Sequence, residues 1–204
     1  MIPKRAITAL AFFLTISVLG YSAEKPRVEV LKGSGGTIKT PLSQNIVLND
    51  KSSLQREWIT ISDKTLPVIF SGLSGITTKY ESGDRYSSGN YIYTSTYKII
   101  CAEPITALEV RFIAFDVWGK TIKSLLSTEI EDFGVGTHSI TSKWNLFSEN
   151  EASHFYASIA YVYRVRTKAG KVFEANPGVV LEQARLLTSK FEAGELEPEK
   201  PAKK

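Results

Sequence analysis

The sequence predicts an antiparallel β-sandwich with a short helix near its C-terminus. Residues 91–126 read as two long strands and the start of a third. Short runs of β-branched and aromatic residues recur along the chain, with Gly, Ser, Asn, Asp or Pro between them. Apolar residues take up helical spacing only after Pro177. Many short strands punctuated by turns, with almost no helix, fit two packed antiparallel sheets.

At 204 residues the chain has room for one domain with a proper core. A hydrophobic content of 43% with 23% charged residues excludes a wholly disordered or fibrous chain. Residues 1–23 stand apart. Lys4 and Arg5 precede an apolar run over 6–20, and Ser22 and Ala23 supply a small-residue exit. That order is a secretory signal peptide, and its apolar run is short of the roughly 20 residues that span a bilayer. The expectation is an exported protein, periplasmic or extracellular, starting near Ala23 or Glu24 and with no stable membrane span after cleavage. Without Lys4 and Arg5 the chain has 23 basic residues against 21 acidic ones. So near-neutral a chain gives no sign of a nucleic-acid partner, which needs clustered basic residues with stacking aromatics.

Residues 24–55 are polar and broken by the Gly33-Ser34-Gly35-Gly36 run, and are expected to be a flexible N-terminal segment. Within them, 27–31 alternates and could add an edge strand or a docking segment. The sandwich domain is expected over 56–188. Residues 58–61, 68–70 and 76–80 are short β-type runs, and 81–90 is turn chemistry. In 91–101 aromatic and β-branched residues fill both faces, until Ala102-Glu103-Pro104 breaks the ladder. The next strand places Leu108, Val110, Phe112 and Ala114 on one face. Its other face begins with Glu109 and Arg111, then turns apolar at Ile113, Phe115 and Val117. A strand that ends apolar on both faces needs a cover. The segment before Gln55, the helix after Pro177 and a partner are the three choices.

Asp116-Val117-Trp118-Gly119-Lys120 reads as a turn, and 121–126 as a strand leaving it. A strand pair is expected over 128–133 and 137–146, with a polar loop at 148–153. Residues 155–167 alternate again and close a hairpin through Gly170 onto 172–174. Asn176 and Pro177 give a helix start, with the helix running to about Leu187. Residues 189–204 are dominated by Glu, Lys and Pro and are expected to form a disordered charged tail. Cys101, the one cysteine, cannot form an internal disulfide and reads as a small buried hydrophobe.

Phe112-Ile113-Ala114-Phe115-Asp116, followed by Gly119-Lys120, resembles the FxLYD type of exported bacterial domain. The motif of that family is a strand ending Phe-x-Leu-Tyr-Asp before a glycine turn. Phe112 and Asp116 match, Phe115 stands in place of Tyr, and Ala114 departs from Leu. The resemblance covers 91–126 and extends towards Glu174. It implies an immunoglobulin-like β-sandwich in an exported setting and brings no catalytic residues. The fold expected is therefore an immunoglobulin-like antiparallel β-sandwich to which the residues after Asn176 add a short C-terminal helix.

The chemistry of a site is thin. His138 and His154 have no H-E-x-x-H spacing, and Gly72-Leu73-Ser74-Gly75 lacks the G-x-S-x-G pattern of a nucleophile elbow. Glu149 and Glu151 are a clustered carboxylate pair in a loop. No catalytic, metal or cofactor residues are assigned, and the chain is not expected to be an enzyme. Arg111, Arg164 and Arg166 could form a basic stripe if their strands are neighbours. Aromatics on sandwich loops or faces carry the larger expectation, with Trp118 first and Tyr86 and Tyr91 behind it, the other reading of Trp118 being a core plug folded back under the sheet. The candidate interface is Ile113, Phe115, Val117 and Trp118. The function expected is a non-enzymatic module that binds a protein or supports a cell-envelope assembly. A carbohydrate-binding module is the second expectation and a small hydrolase the third.

Overall fold

A computed structural model describes residues 28–35, 56–81, 85, 90–146 and 149–196. Residues 1–27, which hold the expected signal segment, residues 36–55, Tyr86 and the chain beyond 196 lie outside the described residues. In chain order the strands are β1 Val28–Gly35, β2 Arg56–Asp63, β3 Val68–Phe70, β4 Thr77–Glu81, β5 Asn90–Cys101, β6 Ile105–Phe115, β7 Thr121–Glu129, β8 Gly136–Leu146, β9 Ala157–Thr167 and β10 Val172–Glu174. Helix α1 is Glu149–His154, α2 is Pro177–Ala184, and a 3-10 turn spans Ala193–Leu196.

The protein is a β-sandwich with a short C-terminal helix. Among the described residues one sheet runs β1-β2-β9-β6-β7, with β10 added to β9. The other is built on β5, with β8 along one side and β3 and β4 along the other. The stretch that gives the strongest strand signal therefore supplies the strand on which one sheet is built and an inner strand of the other. Between the sheets, Tyr97 of β5 meets Phe112 of β6 at 5.6 Å between ring centroids, and Phe112 meets Trp144 of β8 at 5.2 Å. Phe70 packs edge-on against Tyr97 at 6.0 Å. Cys101 is buried there as a free thiol, and burial pushes its pKa up.

Several strand partners differ from the sequence expectation. Residues 128–133 do not pair with β8; β7 continues to Glu129 and pairs with β6, while β8 crosses to β5 over its whole length. Only Phe133 of the intervening chain bridges back, to Ile105. The polar 148–153 stretch contains α1 rather than a simple loop. Among the described residues one pairing is parallel, β2 with β9, in register from Glu57↔Ala157 to Ile61↔Tyr161. A parallel neighbour needs a long connection, and about a hundred residues separate these two. Of the glycine run expected to be a flexible linker, Gly33 to Gly35 form the end of β1, where Gly33 pairs with Trp58 and Gly35 with Arg56, and Gly36 lies outside the described residues.

β3 and β4 are separated by an excursion that plugs one side of the sandwich. Ser74 and Ile76 are buried, Ser74 N donates to Thr60 Oγ1 at 2.6 Å, and Thr60 Oγ1 donates to Ser74 O at 3.0 Å. A Cβ on Gly75 would collide with the Trp58 ring, so only glycine fits beneath it. The opposite side is held by hydroxyls. Ser127 Oγ of β7 donates its single proton to Glu129 Oε1 at 2.8 Å. It therefore accepts from Tyr97 OH at 2.9 Å and from Ser142 Oγ at 2.6 Å. Trp144 Nε1 donates to Leu126 O at 3.0 Å, tying β8 to β7.

The sheet containing β6 is apolar on both faces. Ile59 aligns with Ile159, and Ile159 with Ile113, making an apolar band on its outer side. The C-terminal chain covers that band. Asn176 caps α2 by accepting from Gly178 N at 3.0 Å and Val179 N at 3.4 Å, with Pro177 in the first turn. Val180 and Ala184 are its buried residues, and the helix packs on β2. It stops at Ala184, short of Leu187. The expected tail at 189–204 does not begin where composition places it: Phe191 and Leu196 are buried. Residues 189–196 form a strap over β6, because two apolar side chains in a charged stretch suffice to seal an apolar sheet face.

The Trp144 bond and ring contact separate in one substitution. Trp144→Phe keeps an aromatic ring against Phe112 and removes the donor to Leu126. Urea unfolding is expected to show a loss of about 0.5–1.5 kcal/mol, the net worth of one hydrogen bond.

Candidate binding surface at the β6–β7 turn

The turn between β6 and β7 is fixed by Asp116. Its Oδ1 accepts from Trp118 N at 2.9 Å and from Lys120 N at 2.8 Å. Two backbone bonds close the loop, from Asp116 N to Lys120 O at 2.9 Å and from Gly119 N to Asp116 O at 3.0 Å. A short carboxylate that reaches backbone amides two and four residues ahead is what aspartate supplies in a turn. Gly119 sits at φ 76°, and a Cβ there would lie 2.5 Å from Thr188 Oγ1. Glycine is therefore required twice over, for the left-handed backbone and for the close approach to Thr188.

This frame presents its two central side chains outward. Trp118 is 85% exposed and Val117 51%. An indole held in water on a tethered turn is the form an interface anchor takes, since little entropy remains to be lost on docking. The other two members of the expected interface are not available. Ile113 and Phe115 are 0% exposed. Phe191 of the strap stacks edge-on against Phe115 at 5.5 Å, and that contact is why the four-residue surface reduces to Val117 and Trp118. The cover is thus internal, drawn from residues the composition assigned to a tail.

Tyr91 is buried in β5 and offers no surface. The arginine stripe does not form. Arg164 pairs with Glu109 through two bonds, Nε to Oε2 at 2.6 Å and NH2 to Oε1 at 2.9 Å, which raises the Arg164 pKa. Arg166 is exposed, and Arg111 is buried at 2% exposure beneath the strap. The burial of Arg111 was not legible in the sequence, because its spacing with Glu109 reads as a solvated face. The only available signal was that the face turned apolar two residues later.

The residues considered for catalysis are dispersed. His138 Nε2 lies 2.8 Å from Gly134 O and its ring packs on Phe133 at 5.2 Å. His154 is exposed at the end of α1. Glu151 pairs with Lys123 at 3.5 Å. Ser74 is part of the plug beside Thr60, with its hydroxyl 3.4 Å from Ser95 Oγ. Among the described residues no three His, Cys, Asp or Glu side chains are grouped to hold a metal ion. Among the described residues no helix is long and apolar enough to cross a membrane.

Compared with known proteins, the chain matches no family model, no curated protein and no solved structure.

The geometry separates the frame of the turn from what it displays. Asp116→Ala removes an acceptor for two amides and is expected to lower stability by about 1–3 kcal/mol. Trp118→Ala, at an exposed site, should stay within about 0.5 kcal/mol of the parent. Thermal unfolding of both variants checks the pair.

Proposed function

We propose that this chain is an exported, non-enzymatic β-sandwich module that binds a protein partner, or supports a cell-envelope assembly, through the turn carrying Trp118. The observation that carries the reading is an indole 85% exposed on a turn pinned by Asp116. Burying one such side chain in a partner pocket contributes about 1.5–3 kcal/mol, enough to anchor a contact whose rim adds specificity. Export is supported by the order of Lys4, Arg5, the apolar 6–20 run and Ala23.

The immunoglobulin-like part of the reading draws on strand pairing. β5 pairs with β8 in one sheet, and β6 with β7 and β9, then β9 with β10, in the other. The chain thus crosses between sheets after β5, β7 and β8, as in sandwiches of that kind. The FxLYD resemblance points the same way, and Asp116, its matching acidic residue, is the one that builds the turn. The fold by itself names no partner, so the functional claim rests on the tip.

A photo-cross-linking amino acid in place of Trp118, in the native host, tests the proposal against the same probe at Thr141 on the outer face of the other sheet. A discrete protein adduct at 118 alone is expected. No adduct at 118, or the same adducts at both positions, contradicts it. A glycan-array signal that disappears in Trp118→Ala, without a protein adduct, transfers the reading to a carbohydrate-binding module.

A further inference from the structure

Arg111 is a buried cation with an incomplete set of partners. One guanidinium N–H donates to the Leu196 carbonyl at 2.7 Å, and the group lies 4.9 Å over the Tyr163 ring. Its Nε is buried with no acceptor among the described residues, and no carboxylate among them lies within ion-pair distance. Tyr161 OH also points at Leu196 O, at 3.5 Å, and its pKa is pushed up to about 12, chiefly by burial. Two donors thus converge on one neutral carbonyl. A guanidinium offers a planar fork that matches the two oxygens of a carboxylate. Placing it out of water against one carbonyl and the Tyr161 hydroxyl, with Nε unpartnered among the described residues, leaves part of its desolvation uncompensated.

The segment that occupies this position is a strap rather than a sheet strand. Its contacts include the Phe191 ring on Phe115, the Leu196 carbonyl on Arg111, a hydrogen bond from Thr121 Oγ1 to Glu195, one from Arg185 Nε to Phe191 O at 3.1 Å, and packing of its 3-10 turn on α2. It adds no backbone ladder to β6, whose two sides are taken by β7 and β9. An element held by side-chain contacts opens more easily than the sheet beneath it.

We propose that the pocket formed by Phe115, Arg111 and Tyr161 is a recognition site for a partner's C-terminal segment, occupied here by the chain's own residues 189–196. The occupant is a peptide with an aromatic residue five positions before a terminal α-carboxylate. The aromatic ring replaces Phe191 on Phe115, and the carboxylate replaces the Leu196 carbonyl at Arg111. The inference rests on the protein-binding reading and adds a second, concealed site to it. The two sites adjoin, since Gly119 of the turn abuts Thr188 at the start of the strap.

The test uses the full chain and a synthetic peptide of residues 188–196, made once with a free C-terminal carboxylate and once as the amide. Binding is followed by amide chemical shifts. The free acid is expected to bind about tenfold more tightly than the amide, as a charge-assisted bond exceeds a neutral one. Glu195→Ala, which loosens the native strap at Thr121, is expected to raise peptide affinity. Shifts should centre on Arg111, Phe115 and Tyr161. Equal binding of acid and amide, or no binding to the Glu195→Ala chain, overturns the proposal. Should that variant not fold, hydrogen exchange of the unmodified chain decides. The amides of Phe191 and Glu195 should exchange roughly 100-fold faster than those of Ile113 and Phe115, and equal protection overturns it. Trp118→Ala should leave peptide binding unchanged, so failure of the turn as an interface and failure of the Arg111 site are told apart.

Discussion

Everything in this architecture follows from a sheet that is apolar on both faces. β6 turns one face to Tyr97 and Trp144 and the other to Phe191 of the strap. Parallel pairing of β2 with β9 extends the problem, because it lines Ile59 and Ile61 up with Ile159 and Tyr161 on the same outer side. Strands in that situation are stable only when a further layer lies over them. The chain supplies the layer from its own C-terminal residues, first α2 on β2 and then the strap on β6. The turn at Asp116 is positioned by the same arrangement, since Gly119 can rest on Thr188 only if the strap is in place.

Cover by a strap has a chemical consequence at Arg111. The outer side of β6 is mixed, with Glu109 and Arg111 before Ile113 and Phe115. Glu109 pairs with Arg164 across β9, which leaves Arg111 to be buried with a carbonyl and an aromatic ring. A register shift between Glu109 and Val110 accompanies this division. Above it the face is ionic and wet; below it the face is apolar and sealed.

The strand core was legible in the sequence, and its cover was not. Residues 91–101 and 108–115 announced themselves through aromatic and β-branched residues on alternating positions, and Asn176-Pro177 through capping chemistry. The apolar end of β6 even announced that something must lie over Ile113 and Phe115. Phe191 and Leu196 could not be identified as that cover, since each stands alone among Glu, Lys and Gly and no periodicity links them. Burial of an isolated aromatic is decided by the surface it meets, not by its neighbours in sequence. β8 was misassigned for a related reason: a strand can pair with its sequence neighbour or cross to the other sheet, and the local pattern is the same in both. Of the candidate site, the place of Trp118 at the tip of the turn was readable, but its choice between surface and core was not, because the direction of the indole is set by how Asp116 pins the turn. Ile113 and Phe115 were read as its companions because their cover was unknown.

The central claim is that residues 189–196 are part of the fold and seal β6. Urea unfolding of Phe191→Ala against the parent tests it most directly. A loss of about 3–5 kcal/mol is expected, as for deletion of a buried phenylalanine from a packed core. A change within about 0.5 kcal/mol, the usual range for an exposed position, would contradict it.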